Sequence, residues 1–223
     1  MTEILSRNGM NAHQVAAYSM IMECWQKPAE FQGLLELLME DPPEVLIEVG
    51  AGRGGAFWAF CQVAAPGALL ISVDQGEVEG AHCASVDMLR SFGLPDQQVV
   101  CIRGDSKDAR TAAGVNIALQ GRKADFVFID ADHREEAVRR DHFLYSQFAR
   151  EGGLVGLHDI IPVTVNRWTP EYAVEVAPLW EDIKACDVKT REFIQEDDLT
   201  WGGIGVYEQP AYRLVILQEE AIP

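Results

Sequence analysis

The chain has 223 residues, 48% of them hydrophobic and 24% charged, and its 18 basic against 35 acidic residues give a net charge of −17. That length suits one sizeable α/β domain, and the acidity argues against non-specific binding to nucleic acid or to an anionic membrane. Cys24, Cys61, Cys83, Cys101 and Cys186 form no C-x-x-C pair. They read as buried thiols of a reducing compartment rather than a disulfide framework or a zinc site. No signal-peptide pattern opens the sequence, and no apolar run approaches ~18 residues, so a cytoplasmic protein is expected.

Taken in chain order, residues 11–26 predict a helix with Val15, Tyr18, Met22 and Trp25 on roughly one face. Pro28 fits the first turn of a second helix over 29–40, carrying Phe31, Leu34, Leu35 and Leu38, and Asp41-Pro42-Pro43 stops it. Residues 1–43 are therefore read as a helical extension, either a cleft cover or a homo-oligomer contact, and 44–223 as the main domain. A buried strand over 45–49 runs into Gly50-Ala51-Gly52-Arg53-Gly54-Gly55 and then a helix over 54–64. Glycines allow a tight turn and close approach of backbone to a ligand, and the helix that follows offers unpaired N–H groups. The segment marks a nucleotide-like cofactor site.

Further strands are predicted at 69–73, ending at Asp74; at 99–103, before Gly104-Asp105-Ser106; at 125–129, ending at Asp130; and at 154–157, ending at His158-Asp159. Helices over 80–93, 107–120 and 134–149 alternate with them, the last stopped by Glu151-Gly152-Gly153. A helix over 174–186 precedes β-like runs at 188–194, 204–207 and 213–217, the first two suggesting a hairpin at one end of the sheet. Near-continuous apolar strands alternating with helices argue for a mostly parallel sheet covered on both faces. Glu48, Asp74, Asp105, Asp130, His158 and Asp159 all fall at C-terminal strand ends, the edge where open α/β sheets bind ligands.

Gly50-x-Gly52-x-x-Gly55 also matches the dinucleotide fingerprint, with Asp74 at a suitable distance for a ribose. A sulfonium cofactor with its ammonium group is better served by surrounding carboxylates than a pyrophosphate would be. The pattern around the turn resembles class I S-adenosylmethionine-dependent methyltransferases: Glu48 before GAGRGG, Asp74 after LLISV and Asp105-Ser106 in IRGDS. The run DFVFIDADHREEAVRRDHFLYSQFAREGGLVGLHDI (125–160), with GGIGV at 202–206, resembles a subgroup that includes cephalosporin-hydroxylase-type and macrocin- or mycinose-type sugar O-methyltransferases. Arg134-Glu135 departs from the serine-tyrosine usual after the histidine, and 162–178 is an unusual connection rich in proline and aromatic residues.

The resemblance implies a Rossmann-like class I methyltransferase fold that uses S-adenosyl-L-methionine. It places Glu48, Gly50, Ala51, Gly52, Gly54 and Gly55 at the methionine end, Asp74 and Gln75 at the ribose, and Asp105 and Ser106 beside the adenine, with Asp130 also near the cofactor. It also implies a hydroxyl of a small molecule, such as a sugar or natural-product intermediate, as methyl acceptor. Asp130 and Asp159 become candidate ligands of a divalent cation, magnesium favoured, joined by His158 or by nearby Asp132 or His133. His158 or His133 could instead be the general base, since an unperturbed histidine titrates near neutrality; His158 is preferred, with His133 orienting the loop. Asp130 and Asp132 could equally only cap the next helix.

Phe57, Trp58 and Phe60 are expected in the core, and His13, His82 and His142 at the surface or in packing. Trp168 and Tyr172 fit either a lid or an interface, and Trp201 is ambiguous. Two rival readings remain at this stage: a catalytically silent methyltransferase-like binding or assembly protein, and an NAD-dependent oxidoreductase, for which no Tyr-x-x-x-Lys pair is present.

Overall fold

In the computed structural model, residues 4–76, 83–162, 173–212 and 214 are described. The strands are β1 (Val45–Val49), β2 (Leu69–Asp74), β3 (Gln98–Arg103), β4 (Ala124–Ile129), β5 (Ala149–His158), β6 (Thr190–Phe193) and β7 (Ile204–Glu208). They form one sheet in the order β3-β2-β1-β4-β5-β7-β6. β1 to β5 are mutually parallel, and β7 pairs antiparallel with both β5 and β6, so the expected hairpin closes one edge. The chain order reverses between β1 and β4, which opens a crevice at the C-terminal edge.

Alternation along each strand divides the core in two. Leu46, Leu70, Phe126 and Phe128 face α1 (Ala12–Ile21), α2 (Pro28–Glu40) and α3 (Gly55–Val63). Ile47, Val49, Ile71, Val73, Val127, Ile129, Val155 and Leu157 face α5 (Ala109–Leu119), α6 (Glu135–Tyr145) and α7 (Ala177–Lys184). On the first face Phe60 meets the rings of Phe31, Phe126 and Phe128 edge-on at 5.7, 5.7 and 5.4 Å, a geometry that adds to simple area burial. Phe57 and Phe60 are buried as expected, while Trp58 is only half-buried. The same alternation carries Glu48, Ser72, Asp130 and His158 onto the α1–α3 side of the strand ends. Helices α1 and α2 belong to that core cluster through Val15, Phe31, Leu34 and Leu35.

Several boundaries differ from the sequence expectation. α1 stops at Ile21, and Glu23 takes a left-handed φ of 61° that redirects the chain. Its buried face is therefore Ala12, Val15, Ala16 and Ser19, while Tyr18 and Trp25 are exposed. The helix expected over 80–93 is, among the described residues, only α4 (Val86–Ser91), with Ser85 as its N-cap. The helix expected to 149 ends at Tyr145, followed by a 3-10 turn over Ser146–Phe148. Glu151-Gly152-Gly153 does not stop a helix but lies within the longer β5, next to a register shift against β4 between Ala124 and Phe126. All five cysteines are free, but only Cys24 and Cys61 are buried; Cys83, Cys101 and Cys186 are half-buried. His82, Trp168, Tyr172 and most of the β-like run at 213–217 lie outside the described residues. No helix among the described residues is long and apolar enough to cross a membrane.

Candidate functional site

Two glycines of the turn, Gly50 and Gly55, are in contacts that tolerate no side chain. Gly50 has φ 96°, and a Cβ there would lie 2.0 Å from the Asp130 carbonyl oxygen. A Cβ on Gly55 would lie 2.3 Å from the backbone nitrogen of Cys24. The turn is thus pressed between the end of β4 and the segment joining α1 to α2. Gly50 N donates to Val73 O at 2.8 Å and Asp130 N to Val49 O at 2.8 Å, which ties the ends of β2, β1 and β4 together.

Asp74 braces this turn from β2. Its Oδ2 accepts from Ala51 N at 3.0 Å and Gly52 N at 3.1 Å. Its Oδ1 accepts from Gly76 N at 2.6 Å and from Arg103 Nη1 at 3.1 Å. Four donors match the lone-pair capacity of a carboxylate, so a ribose diol at Asp74 would compete with them. Arg103, which also donates to Ala84 O, was not legible as a site residue. Gln75 is exposed just beyond the strand. Asp105 is half-exposed and accepts from Lys107 N at 2.9 Å. Ser106 is committed elsewhere: its hydroxyl donates to Asp141 on α6 at 2.9 Å, and its carbonyl accepts from Tyr145 Oη at 2.9 Å.

Glu48 is the opposite case. It is 1% exposed, and neither carboxylate oxygen has a hydrogen-bond partner among the described residues. Burial, reinforced by Asp130 and Asp74 nearby, pushes its carboxyl well above the usual range. A buried acid left without a partner at the mouth of a glycine cradle calls for an explanation.

Across the crevice, Asp130, His133, His158 and Asp159 converge. His133 Nδ1 lies 2.8 Å from Asp159 Oδ2, and His133 Nε2 lies 3.4 Å from Asp130 Oδ1. His158 Nδ1 lies 3.2 Å from Asp130 Oδ1 and 3.4 Å from Asp159 Oδ2. Burial opposes charge on all four, but the mutual contacts win. The carboxyls of Asp130 and Asp159 are held below their usual range and both imidazoles above theirs. This corrects the expectation of a histidine poised near neutrality, because each ring sits against two carboxylates that favour its protonated form. His158 Nε2 is buried without a hydrogen-bond partner among the described residues, with the Trp201 ring edge-on at 6.4 Å.

Donor atoms of Asp130, His133 and Asp159 all lie within 4.8 Å of one another and could hold a metal ion. Two carboxylates and an imidazole, with bound protons standing where positive charge is wanted, fit a divalent cation. His158 Nδ1, 3.2 Å from Asp130 Oδ1 and 3.4 Å from Asp159 Oδ2, lies beside this set. Asp132 is drawn off by Lys107 at 3.0 Å and by Arg134, so the sequence departure at Arg134 has a structural use.

The support beneath the cluster comes from the N-terminal helices. Asp159 has φ 61°, a conformation costly for a non-glycine residue, and its Oδ1 accepts from Gly202 N at 3.0 Å. Glu30, buried in the first turn of α2, accepts from Gly203 N at 2.8 Å and from Gln195 N at 2.9 Å. Lys27 lies 3.8 Å from Glu30 and 5.1 Å from the centre of the Trp201 ring. Gln26 Nε2 donates to Asp130 Oδ2 at 2.7 Å. Sequence reading missed Gln26 and Glu30, which sit in no motif. His142, expected at the surface or in packing, is buried and bonded to Tyr207 Oη at 2.8 Å; His13 is exposed and bonded to Gln32.

A parallel sheet that ends in an antiparallel pair, with a glycine cradle and an acid–histidine cluster at its switch point, defines a Rossmann-like fold of the methyltransferase type. A methyltransferase-domain family model matches residues 47–160, just over half of the chain, and the chain belongs to that family. No curated protein matches it. Among solved structures, an O-methyltransferase from Bacillus cereus in complex with SAH is 15% identical with a TM-score of 0.56, over 88% of this chain and 90% of that one. TomG, an O-methyltransferase from Streptomyces achromogenes involved in tomaymycin synthesis and solved with SAM, is 17% identical with a TM-score of 0.57, over 90% of each chain. MycE, from the mycinamycin biosynthetic pathway and solved with Mg and SAH, is 14% identical with a TM-score of 0.54, over 89% of this chain and 54% of that one. Identities this low establish a shared fold and nothing finer.

Proposed function

We propose that the chain is an S-adenosylmethionine-dependent methyltransferase acting on a hydroxyl of a small molecule such as a sugar or natural-product intermediate. The observation that carries this reading is the pairing of two unlike groups across one crevice. The unsatisfied Glu48 carboxylate stands at the glycine cradle, and the Asp130–His133–His158–Asp159 cluster stands opposite. S-adenosylmethionine supplies an electrophilic methyl on a sulfonium. An acidic wall suits that positive charge, whereas it would repel the pyrophosphate of a dinucleotide. That contrast favours this reading over the oxidoreductase.

The chain's own work is positioning and proton handling. The glycine turn and Glu48 hold the methionine end, Asp74 and Gln75 the ribose side, and Asp105-Ser106 the adenine side. Asp130 and Asp159, with His133 or His158, would hold a divalent cation, for which magnesium is the first candidate, as the MycE complex contains it. Such a cation would supply Lewis acidity that makes an acceptor hydroxyl easier to deprotonate. Trp201 and His158 wall the acceptor side. As the acceptor oxygen bonds to the methyl carbon and the carbon–sulfur bond breaks, the hydroxyl proton passes to a carboxylate oxygen of Asp130 or Asp159, since both imidazoles already carry their second proton. Alignment of the reacting atoms supplies much of the rate.

The test is transfer of a labelled methyl from S-adenosylmethionine to a panel of sugars and phenolic or polyketide alcohols, with the product linkage determined by mass spectrometry. An O-methyl product that is lost on chelation and in Asp159→Ala supports the proposal. Transfer to nitrogen or carbon refutes the O-directed assignment. Tight cofactor binding without transfer to any acceptor would favour a silent binding protein.

A further inference from the structure

The most unusual polar arrangement outside the motifs is at Gln26, in the short link between α1 and α2. Gln26 is 4% exposed. Its Nε2 donates to Asp130 Oδ2 at 2.7 Å, which fixes which end of the amide faces the carboxylate, since the reverse would set oxygen against oxygen. Its Oε1 is then buried with no hydrogen-bond partner among the described residues. The same holds for both oxygens of Glu48.

These three orphaned acceptors belong to one neighbourhood. Glu48 and Asp130 emerge on the same face of adjacent strands, β1 and β4. The Asp130 carbonyl presses on Gly50 and the Cys24 backbone on Gly55, so the link carrying Gln26 is in backbone contact with the cradle. Leaving a buried acceptor unpaired is costly, so three together call for a ligand that brings donors and no acceptor. Glu48, Asp74 and Asp130 nearby demand that it be cationic. A primary ammonium has three N–H donors and one positive charge.

We infer that Gln26 is a cofactor-binding residue contributed by the N-terminal extension, its Oε1 accepting with Glu48 from the α-ammonium of the donor's amino-acid moiety while its Nε2 positions Asp130. This rests on the S-adenosylmethionine reading above. It gives the link between α1 and α2 a direct part in the site, and it makes one side chain the bridge between the donor cradle and the acceptor cluster.

Calorimetry on the full chain tests it with a cycle of variant against ligand. S-adenosylhomocysteine is compared with its deaminated analogue and with 5′-methylthioadenosine, for the wild type and for Gln26→Met, which keeps the volume and removes both polar atoms. Gln26→Ala serves as a second variant, and melting curves establish that each is folded. The expected result is a loss of roughly tenfold or more in affinity for S-adenosylhomocysteine, with less than twofold change for either ligand that lacks the ammonium. Equal losses on all three ligands would reduce Gln26 to a brace for Asp130 and overturn the assignment, as would unchanged binding of S-adenosylhomocysteine. Wild-type protein that binds none of the three overturns the S-adenosylmethionine reading itself, a different and distinguishable failure.

Discussion

Glu48 and Asp130 end neighbouring strands of one sheet, on the same face, and both are acids, yet their surroundings drive them in opposite directions. Glu48 has no hydrogen-bond partner among the described residues, and burial pushes its carboxyl up. Asp130 is met by His133 and His158, which pull its carboxyl down despite burial, and Gln26 donates to its other oxygen. The difference is one of who supplies the counter-charge. The cluster at β4 and β5 carries its own in two imidazoles. The β1 cradle, among the described residues, does not.

The severest way to break that comparison is Gly50→Ala. A Cβ 2.0 Å from the Asp130 carbonyl, at φ 96°, separates the two halves physically. It should cost at least about 3–4 kcal/mol of stability, read by urea denaturation. Next in size, Asp159→Ala strips each imidazole of one of its two carboxylates and removes the acceptor for Gly202 N. The methyl-transfer rate should fall by about 10²–10⁴, within the range of acid–base contributions. Asp159→Asn, which keeps an acceptor for Gly202, should retain the fold better than the alanine when the two melting curves are compared.

Glu48→Gln sharpens the contrast. Without a buried charge to neutralise, the ligand-free protein should gain about 1–2 kcal/mol in chemical denaturation at neutral pH. Affinity for S-adenosylhomocysteine should nevertheless drop by roughly tenfold. Stability and binding moving in opposite senses is the signature of a site held open; a loss in both would mean that Glu48 is structural.

The smallest effect is expected at Asp141, the acid behind Ser106. Burial pushes its carboxyl up to about 7 although Ser106 donates to it. A carboxyl raised in the folded state holds a proton there that the unfolded chain gives up near pH 4. Between about pH 4 and 7 the native state thus binds more protons, so stability falls as pH rises and the penalty is complete above about 7. Asp141→Asn should flatten that part of the stability–pH curve and recover roughly 1 kcal/mol at neutral pH.

Much of the fold could be read from local pattern. Continuous apolar runs such as Leu69–Val73 and Asp125–Ile129 are nearly coextensive with β2 and β4, because strands buried on both faces have no polar alternation to blur. Elements governed by a backbone twist or by distant packing were less legible. α1 ends early because Glu23 adopts a left-handed φ, and the chain stays extended through Gly152-Gly153 because Gln209, just past β7, exchanges backbone hydrogen bonds with both. At the site, motif residues appeared at the strand ends as anticipated. What escaped were the residues that reach it from far along the chain: Gln26, which contacts Asp130 across 104 positions, and Glu30, which holds Gly203 across 173. Long-range hydrogen bonds leave no periodicity to read. The charge states of His133 and His158 escaped for a related reason, since they follow from two carboxylates brought together only by folding.

The account stands most directly on calorimetric titration of the full chain with S-adenosylhomocysteine and, separately, with NAD. Saturable micromolar binding of S-adenosylhomocysteine, weakened in Glu48→Gln, with no response to NAD, is the predicted outcome. Tight binding of NAD with no response to S-adenosylhomocysteine would contradict it.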